Sequence, residues 1–261
     1  TIQEARIKLK VLLAEDNPIN QTLAVRMLEK RGYRVQVAPN GKEALEIFDR
    51  EEIDLILMDI QMPEMDGFEA TRLIRERERG KEVPIVAMTA HALTGDRERC
   101  LAAGMDDYVA KPIKAETLFG AIDRCVSGRP VRKSREFTGQ DMGTGERKSD
   151  VFDLSKALEI MGGDRDLLME IVGIFVESFP ATLRQIREAL ASGDAPLVER
   201  AAHSLKGSVA SFGASRAQEA ASGLEKRGKA GNLTGADQVV VELETELRTL
   251  ERTMKKVLLE R

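Results

Sequence analysis

Acidic residues and one lysine stand at the ends of predicted strands in the first half of the chain. Glu15 and Asp16 follow the first strand, Asp59 the third, Thr89 the fourth and Lys111 the fifth. In an open α/β sheet, the carboxyl ends of parallel strands meet at one edge, so we expect these side chains to lie together. Three crowded carboxylates are unfavourable without a cation. The set therefore predicts a site for a hard divalent ion such as Mg²⁺.

The same residues suit phosphoryl transfer. Phosphate oxygens complete the ligand shell of Mg²⁺, while Lys111 and Thr89 supply a positive charge and a hydroxyl that stabilise a migrating phosphoryl group. Asp59 is then the acceptor carboxylate and forms an acyl phosphate. Taken singly, an acid or a lysine at a strand end is more often a solvated loop residue. The prediction depends on the whole set.

A second candidate for this chemistry is His203, one of only two histidines. Residues 196–213 predict a helix, and His203 lies away from its apolar stripe, so we expect the imidazole to face water. Lys206 could hold an anion, and Gly207 clears space beside the ring. The pattern suits a nucleophile that accepts a phosphoryl group, although a lone surface histidine is usually only solvated. The stripe consists of Val198, Ala201, Leu205, Val209 and Phe212.

Composition limits the possible classes. The chain has 261 residues, of which 42% are apolar and 32% charged, enough for two ordinary domains. A net charge of −4 argues against nucleic-acid binding. No apolar run is long enough to cross a membrane, so we expect no membrane contact by this segment. Cys100 and Cys125 lack metal-binding spacing and indicate reduced thiols in the cytoplasm, whether or not a parent protein is anchored in the inner membrane. The start at Thr1 suggests an excised piece.

Residues 1–126 alternate short apolar runs with amphipathic helical patterns. This alternation predicts an α/β doubly wound domain with a five-stranded parallel sheet, because continuous apolar runs suit strands buried on both faces. The predicted strands are 9–14, 33–37, 55–58, 85–88 and 108–110, and the helices start near Asn17, Gly41, Gly67, Leu93 and Ala115.

Residues 127–150 are rich in Gly, Ser and Thr without apolar periodicity, which predicts a flexible linker. Residues 151–261 lack strand patterns and predict an all-α four-helix bundle. From residue 152 onward there are 15 Lys and Arg against 17 Asp and Glu, a net charge of −2. No basic recognition helix is present.

The first half closely resembles the receiver domain of two-component response regulators. The resemblance covers residues 8–126 and rests on LMDIQMPEMDG at 57–67, EDN at 15–17, MTA at 88–90 and YVAKP at 108–112. It implies a flavodoxin-like fold with Asp59 as the phosphoacceptor. It also implies that Mg²⁺ binds to Asp16, Asp59 and the Gln61 carbonyl, with Glu15 acting through a metal-bound water.

The resemblance assigns further roles. Thr89 and Lys111 are expected to contact the phosphoryl oxygens, and Tyr108 takes the position of a switch aromatic that turns inward when Thr89 moves. Gln61 and His91 occupy positions that are expected to tune dephosphorylation. We assign His91 no catalytic role, because a solvated loop histidine explains it equally well.

The second half resembles the histidine phosphotransfer (HPt) domain, a four-helix bundle. The resemblance rests on His203-Ser-Leu-Lys-Gly207 with Phe212 and Gly213 at the family's spacing. It implies that His203 is phosphorylated, that Lys206 steadies the phosphoryl group, and that Gly207 lets a receiver dock closely.

Together the two resemblances predict a phosphorelay segment similar to the C-terminal part of a hybrid sensor histidine kinase. Its expected partners are a sensor histidine kinase domain, in the same or another polypeptide, and a downstream response regulator receiver. Nothing resembles an ATP-binding kinase module, so whether the segment counts as an enzyme by itself stays open. The alternative is a response regulator whose helical half is an output module that binds protein or nucleic acid. Transfer from Asp59 to His203 within or between chains, and the oligomeric state, also stay open.

Overall fold

The computed structural model describes residues 8–89, 94–126 and 150–259. The predicted linker, apart from Asp150, and His91 lie outside these described residues. The first domain is a five-stranded parallel sheet of order β2-β1-β3-β4-β5, which confirms the predicted α/β class. Its strands are β1 (Lys10–Ala14), β2 (Arg34–Ala38), β3 (Leu55–Asp59), β4 (Ile85–Thr89) and β5 (Asp107–Ala110).

Helices cover both faces of this sheet. Alternate residues of a strand point to opposite faces, and both faces are apolar here: Leu55 and Leu57 of β3 join one buried cluster, and Ile56 and Met58 the other. Helices α1 (Pro18–Lys30) and α5 (Ala115–Val126) pack on the first face. The other face carries α2 (Gly41–Arg50), α3 (Gly67–Arg75) and α4 (Thr94–Ala102).

The strand register brings the predicted residues to one edge. Ala14 pairs with Met58, and Asp59 pairs with Met88 on the next strand. Thr89 in turn pairs with Ala110. Glu15, Asp59, Thr89 and Lys111 therefore leave neighbouring strands at nearly the same level.

The second domain is a helical bundle. Four long helices form it, preceded by the short helix α6 (Leu154–Ile160), so the prediction of four principal helices is confirmed with one short addition. The rings of Phe175, Phe179 and Phe212 pack in its centre, with centroids 5.2 and 5.1 Å from Phe175. The long helices are α7 (Arg165–Ser192), α8 (Ala195–Ala210), α9 (Ser215–Lys229) and α10 (Ala236–Leu259).

Candidate functional site

The acidic cluster of the first domain forms as predicted. Ligand atoms of Glu15, Asp16 and Asp59 lie within 4.8 Å of one another. Among the described residues, this is the one cluster of side chains that could hold a metal ion. Lys111 Nζ lies 2.6 Å from Asp59 Oδ2 and 2.7 Å from Glu15 Oε2. Asn20 Nδ2 donates to the second Glu15 oxygen at 2.9 Å. One ammonium group thus faces three carboxylates.

Burial and neighbouring negative charge both disfavour ionised carboxylates in this cluster. Burial and then the charge of Glu15 raise the pKa of Asp16 to about 6, although Lys111 opposes the shift. Burial and Glu15 likewise raise the pKa of Asp59. Burial lowers the pKa of Lys111, but the charges of Asp59 and Glu15 outweigh it and raise that pKa. Excess negative charge around buried oxygens is what a hard divalent cation stabilises, so these residues fit Mg²⁺.

The remaining predicted residues of the first domain surround Asp59. Thr89 is buried at the end of β4 and lines the same cavity as Asp59. Gln61 is exposed, and its backbone N–H donates to Asp59 Oδ1 at 3.3 Å. Tyr108 is half-buried on β5 and packs with the apolar cluster under α2, α3 and α4.

Gly67 explains why α3 can begin so close to Asp59. A Cβ atom at Gly67 would lie 2.1 Å from the carbonyl oxygen of Asp59, far inside van der Waals contact. Only glycine allows this approach. The Asp66-Gly67 pair therefore shapes the loop on one side of the site, and Asp66 caps α3 by accepting from Glu69 N at 2.8 Å.

His203 lies on α8, opposite the stripe that was predicted to be buried, and all five stripe residues are buried. The expectation that its ring faces water is wrong, because only 12% of the side chain is exposed. Glu225 of α9 covers one side of the ring, with Oε1 2.5 Å from His203 Nδ1. The same carboxylate accepts from Lys206 Nζ at 2.6 Å through its other oxygen.

Glu225 is the residue beside His203 that the sequence analysis missed. Burial raises its pKa, but hydrogen bonds and charges from His203 and Lys206 outweigh burial and lower the pKa to about 2. Glu225 is therefore a carboxylate, which only accepts hydrogen bonds, so His203 Nδ1 carries the proton. The lone pair of a neutral ring is then on Nε2. Glu225 therefore orients the ring and leaves Nε2 free of this contact.

The two domains meet at these two sites. Helix α1 packs on α7 and α8, and apolar residues of both domains form one continuous cluster. The side-chain amide of Asn17 reaches across, with Nδ2 2.9 Å from Ser204 O, 2.9 Å from Ser204 Oγ and 2.8 Å from Ser208 Oγ. Asn17 Oδ1 meanwhile caps α1 by accepting from Ile19 N at 2.9 Å.

A cavity of about 520 Å³ lies where the two sites face each other. Asp16, Asp59 and Thr89 line it from the first domain, and His203 and Glu225 from the second. Lys111, Lys206 and Gly207 line a second space of about 40 Å³ beside it. A Cβ atom at Gly207 would lie 3.6 Å from Asn20 Nδ2, which is an ordinary van der Waals contact. This position therefore has room for a methyl group. Apart from Tyr108, which packs in the apolar cluster, the predicted site residues of both domains therefore line these two adjacent spaces.

Two family models match the chain. Residues 11–123 belong to the response regulator receiver domain family, and residues 170–253 belong to the Hpt domain family. The chain therefore joins the two domain types of a phosphorelay.

The relatives are hybrid kinases. The chain is 30% identical to the signal transduction histidine-protein kinase BarA of Escherichia coli over 98% of the chain and 28% of BarA. It is 32% identical to the sensor histidine kinase GacS of Pseudomonas protegens, over 77% of the chain and 22% of GacS. The chain thus spans about a quarter of these relatives. Among solved structures, the receiver domain of the sensor histidine kinase PA1611 of Pseudomonas aeruginosa, with magnesium in its active site cleft, is 49% identical with a TM-score of 0.43, covering 46% of this chain and 98% of that one.

No helix in the described part of the chain is long and apolar enough to span a membrane.

Proposed function

We propose that Asp59 accepts a phosphoryl group from a kinase histidine and passes it through His203 to an aspartate of a downstream receiver domain. The cavity that Asp59 and His203 line from two domains is the observation that carries this proposal. The upstream partner is a sensor histidine kinase domain, and the downstream partner is a response regulator. We place this relay in the cytoplasm, within a receiver domain at 1–126, a linker at 127–150 and an Hpt domain at 151–261.

In the first step, a carboxylate oxygen of Asp59 attacks the phosphorus of a phosphohistidine. A P–O bond forms, the P–N bond breaks, and the kinase histidine leaves with the electron pair. Lys111 already contacts the attacking carboxylate, so it is placed to hold the negative phosphoryl oxygens, with the Thr89 hydroxyl as a further donor. Tyr108 is then the aromatic residue that responds to the position of Thr89.

Asp16, Asp59 and the backbone carbonyl of Gln61 would hold Mg²⁺, with Glu15 in the outer shell. When bound, this ion neutralises the carboxylates and the incoming phosphoryl oxygens. The raised pKa values of Asp16 and Asp59 support this assignment, because burial and then the charge of Glu15 disfavour ionised carboxylates here, and a bound cation would stabilise them.

In the second step, His203 Nε2 attacks the phosphorus of the Asp59 acyl phosphate. A P–N bond forms, the P–O bond breaks, and Asp59 returns to a carboxylate. Glu225 holds the Nδ1 proton throughout and stabilises positive charge on the phosphorylated ring. Lys206, which Glu225 holds beside the ring, can turn to the phosphoryl oxygens. Gly207 leaves space beside the ring, so that a receiver can dock closely.

Chemical stability of the label tests the first step. Incubation with acetyl phosphate and Mg²⁺ should give an alkali-labile acyl phosphate that Asp59→Asn abolishes. Asp54→Asn, an exposed aspartate on the opposite end of β3, is the control and should keep the label. A label that persists in the Asp59→Asn chain overturns the assignment.

The second step is tested with a phosphorylated partner receiver. Mixing should give an acid-labile, alkali-stable label on the chain that His203→Gln removes. His91→Gln, which removes the other histidine, is the control and should retain it. Failure of the helical domain to take label from any receiver contradicts the relay.

A further inference from the structure

We propose that the receiver domain docks on the Hpt domain of its own chain, so that Asp59 donates to His203 within one polypeptide and an external receiver must displace the tethered one. This inference rests on the proposed function, because it specifies how its second step is arranged and controlled. Its support is the surface that joins α1 to α7 and α8.

The charges around this surface are complementary. Arg26 Nη2 lies 3.1 and 2.9 Å from the two carboxylate oxygens of Glu170, and Lys114 Nζ lies 2.9 Å from Glu159 Oε1. A third pair, Lys30 with Asp164, lies at 3.8 Å. In every pair the base belongs to the receiver domain and the acid to the helical domain. Pairs at the edge of an interface contribute little affinity but fix the register in which two surfaces meet.

At the centre of the surface the sign is reversed. The receiver domain contributes the acidic group around Asp59, together with Arg99, to the wall of the cavity. The helical domain contributes three bases and two acids, so its side is basic on balance: Arg200, Lys226 and Lys229 against Glu199 and Glu225. This opposite pattern makes a sideways-shifted docking unfavourable, because a shift would place the edge of one surface over the centre of the other and bring like charges together. The buried amide of Asn17 adds a polar contact between the two charged zones.

The tether makes docking within one chain the favoured event. Residues 127–149 join the two domains in one chain, and a tether of this length gives an effective concentration of the order of a millimolar. A second chain at about 10 µM is roughly a hundredfold more dilute. Since the docked receiver leaves 12% of the His203 side chain exposed, other receivers have little access in this state.

Two full-length variants separate transfer within a chain from transfer between chains. The His203→Gln chain can only donate a phosphoryl group, and the Asp59→Asn chain can only accept one at His203. In a mixture of the two, His203 is therefore phosphorylated only by transfer from one chain to another. In the wild-type chain, the rate constant for histidine labelling should not change with protein concentration. At about 10 µM, the mixture should be slower than the wild type by roughly a hundredfold. Equal rates in the mixture overturn docking within one chain while leaving the relay intact, whereas no histidine label in any chain overturns the relay itself.

Charge reversal at Arg26 tests the surface and the competition together. In a chain that keeps both Asp59 and His203, Arg26→Glu should slow transfer between them by about two- to tenfold. Adding Glu170→Arg to the same chain should restore the rate. In the mixture, Arg26→Glu in the donor should slow labelling of the acceptor. The same change in the acceptor should accelerate labelling, because it loosens the tethered receiver that covers His203. No effect in the acceptor contradicts the competition.

Discussion

Glu225→Gln should destabilise the helical domain by an amount that depends on pH. The carboxylate pairs with His203 and Lys206 in a nearly buried position, and its pKa falls from 4.5 to about 2. A difference of this size corresponds to about 3 kcal/mol, since one pKa unit is about 1.4 kcal/mol. Glutamine keeps the shape and an acceptor for Nδ1 but leaves the Lys206 ammonium without its counterion. We therefore expect a loss of about 2 to 4 kcal/mol at pH 7.

The pH dependence gives this prediction its sign. Because the folded pKa of Glu225 lies below the unfolded one, its contribution is fully present above about pH 4.5 and is lost as the pH falls toward 2. Near pH 3 roughly half of this contribution should remain, so the difference between the wild type and the variant should be roughly halved.

Denaturant unfolding at several pH values, followed by circular dichroism, measures this difference. Glu219→Gln is the matched control, because it removes the same charge from an exposed position of α9. The control should change stability by less than about 0.5 kcal/mol at any pH. A Glu225→Gln effect that matches the control, or that stays constant from pH 7 to pH 3, refutes the assignment of Glu225 as the shared counterion.

Four further substitutions, at three positions, test other parts of the structure. Gly207→Ala should stabilise α8 by about 0.5 to 1 kcal/mol in thermal unfolding and leave transfer to His203 intact, because the added methyl group has room. Gly207→Gln should instead block transfer, because its long side chain would fill the space beside the His203 ring. Unimpaired transfer would contradict the prediction that a receiver docks closely at Gly207. Phe175→Ala should cost the helical domain about 3 to 5 kcal/mol, because it opens a cavity between two packed rings; a loss under about 1 kcal/mol would contradict this packing. Asp16→Asn should raise the Mg²⁺ concentration needed to phosphorylate Asp59 in a titration with acetyl phosphate, and an unchanged Mg²⁺ requirement would rule out Asp16 as a ligand.

Most of the receiver fold could be predicted from sequence because its signals are local. Continuous apolar runs mark strands buried on both faces, and the observed β3 and β4 extend the predictions by one residue each, to Asp59 and Thr89. The cluster of site residues was equally predictable, because parallel strands bring their carboxyl ends to one edge.

Contacts that depend on tertiary packing could not be predicted in this way. Glu225 lies 22 residues after His203 on a different helix, and no local pattern links the two. The low exposure of His203 has the same origin, since helical periodicity reports which face avoids the bundle core but not what covers that face. Docking of the two domains depends on Asn17 and Arg26, whose residue types are ordinary for a helix start and an exposed helix surface.

The double use of Asn17 restricts how such domains can be exchanged between proteins. Its carboxamide oxygen caps α1, and its amide nitrogen meets Ser204 and Ser208 of the other domain. Aspartate at this position would preserve the cap but place a negative oxygen against the Ser204 carbonyl. A receiver with aspartate there would fold normally and still be a poor neighbour for this bundle. A substitution at Asn17 could therefore make two transplanted domains incompatible, although measurements of the stability of either domain alone would show no effect.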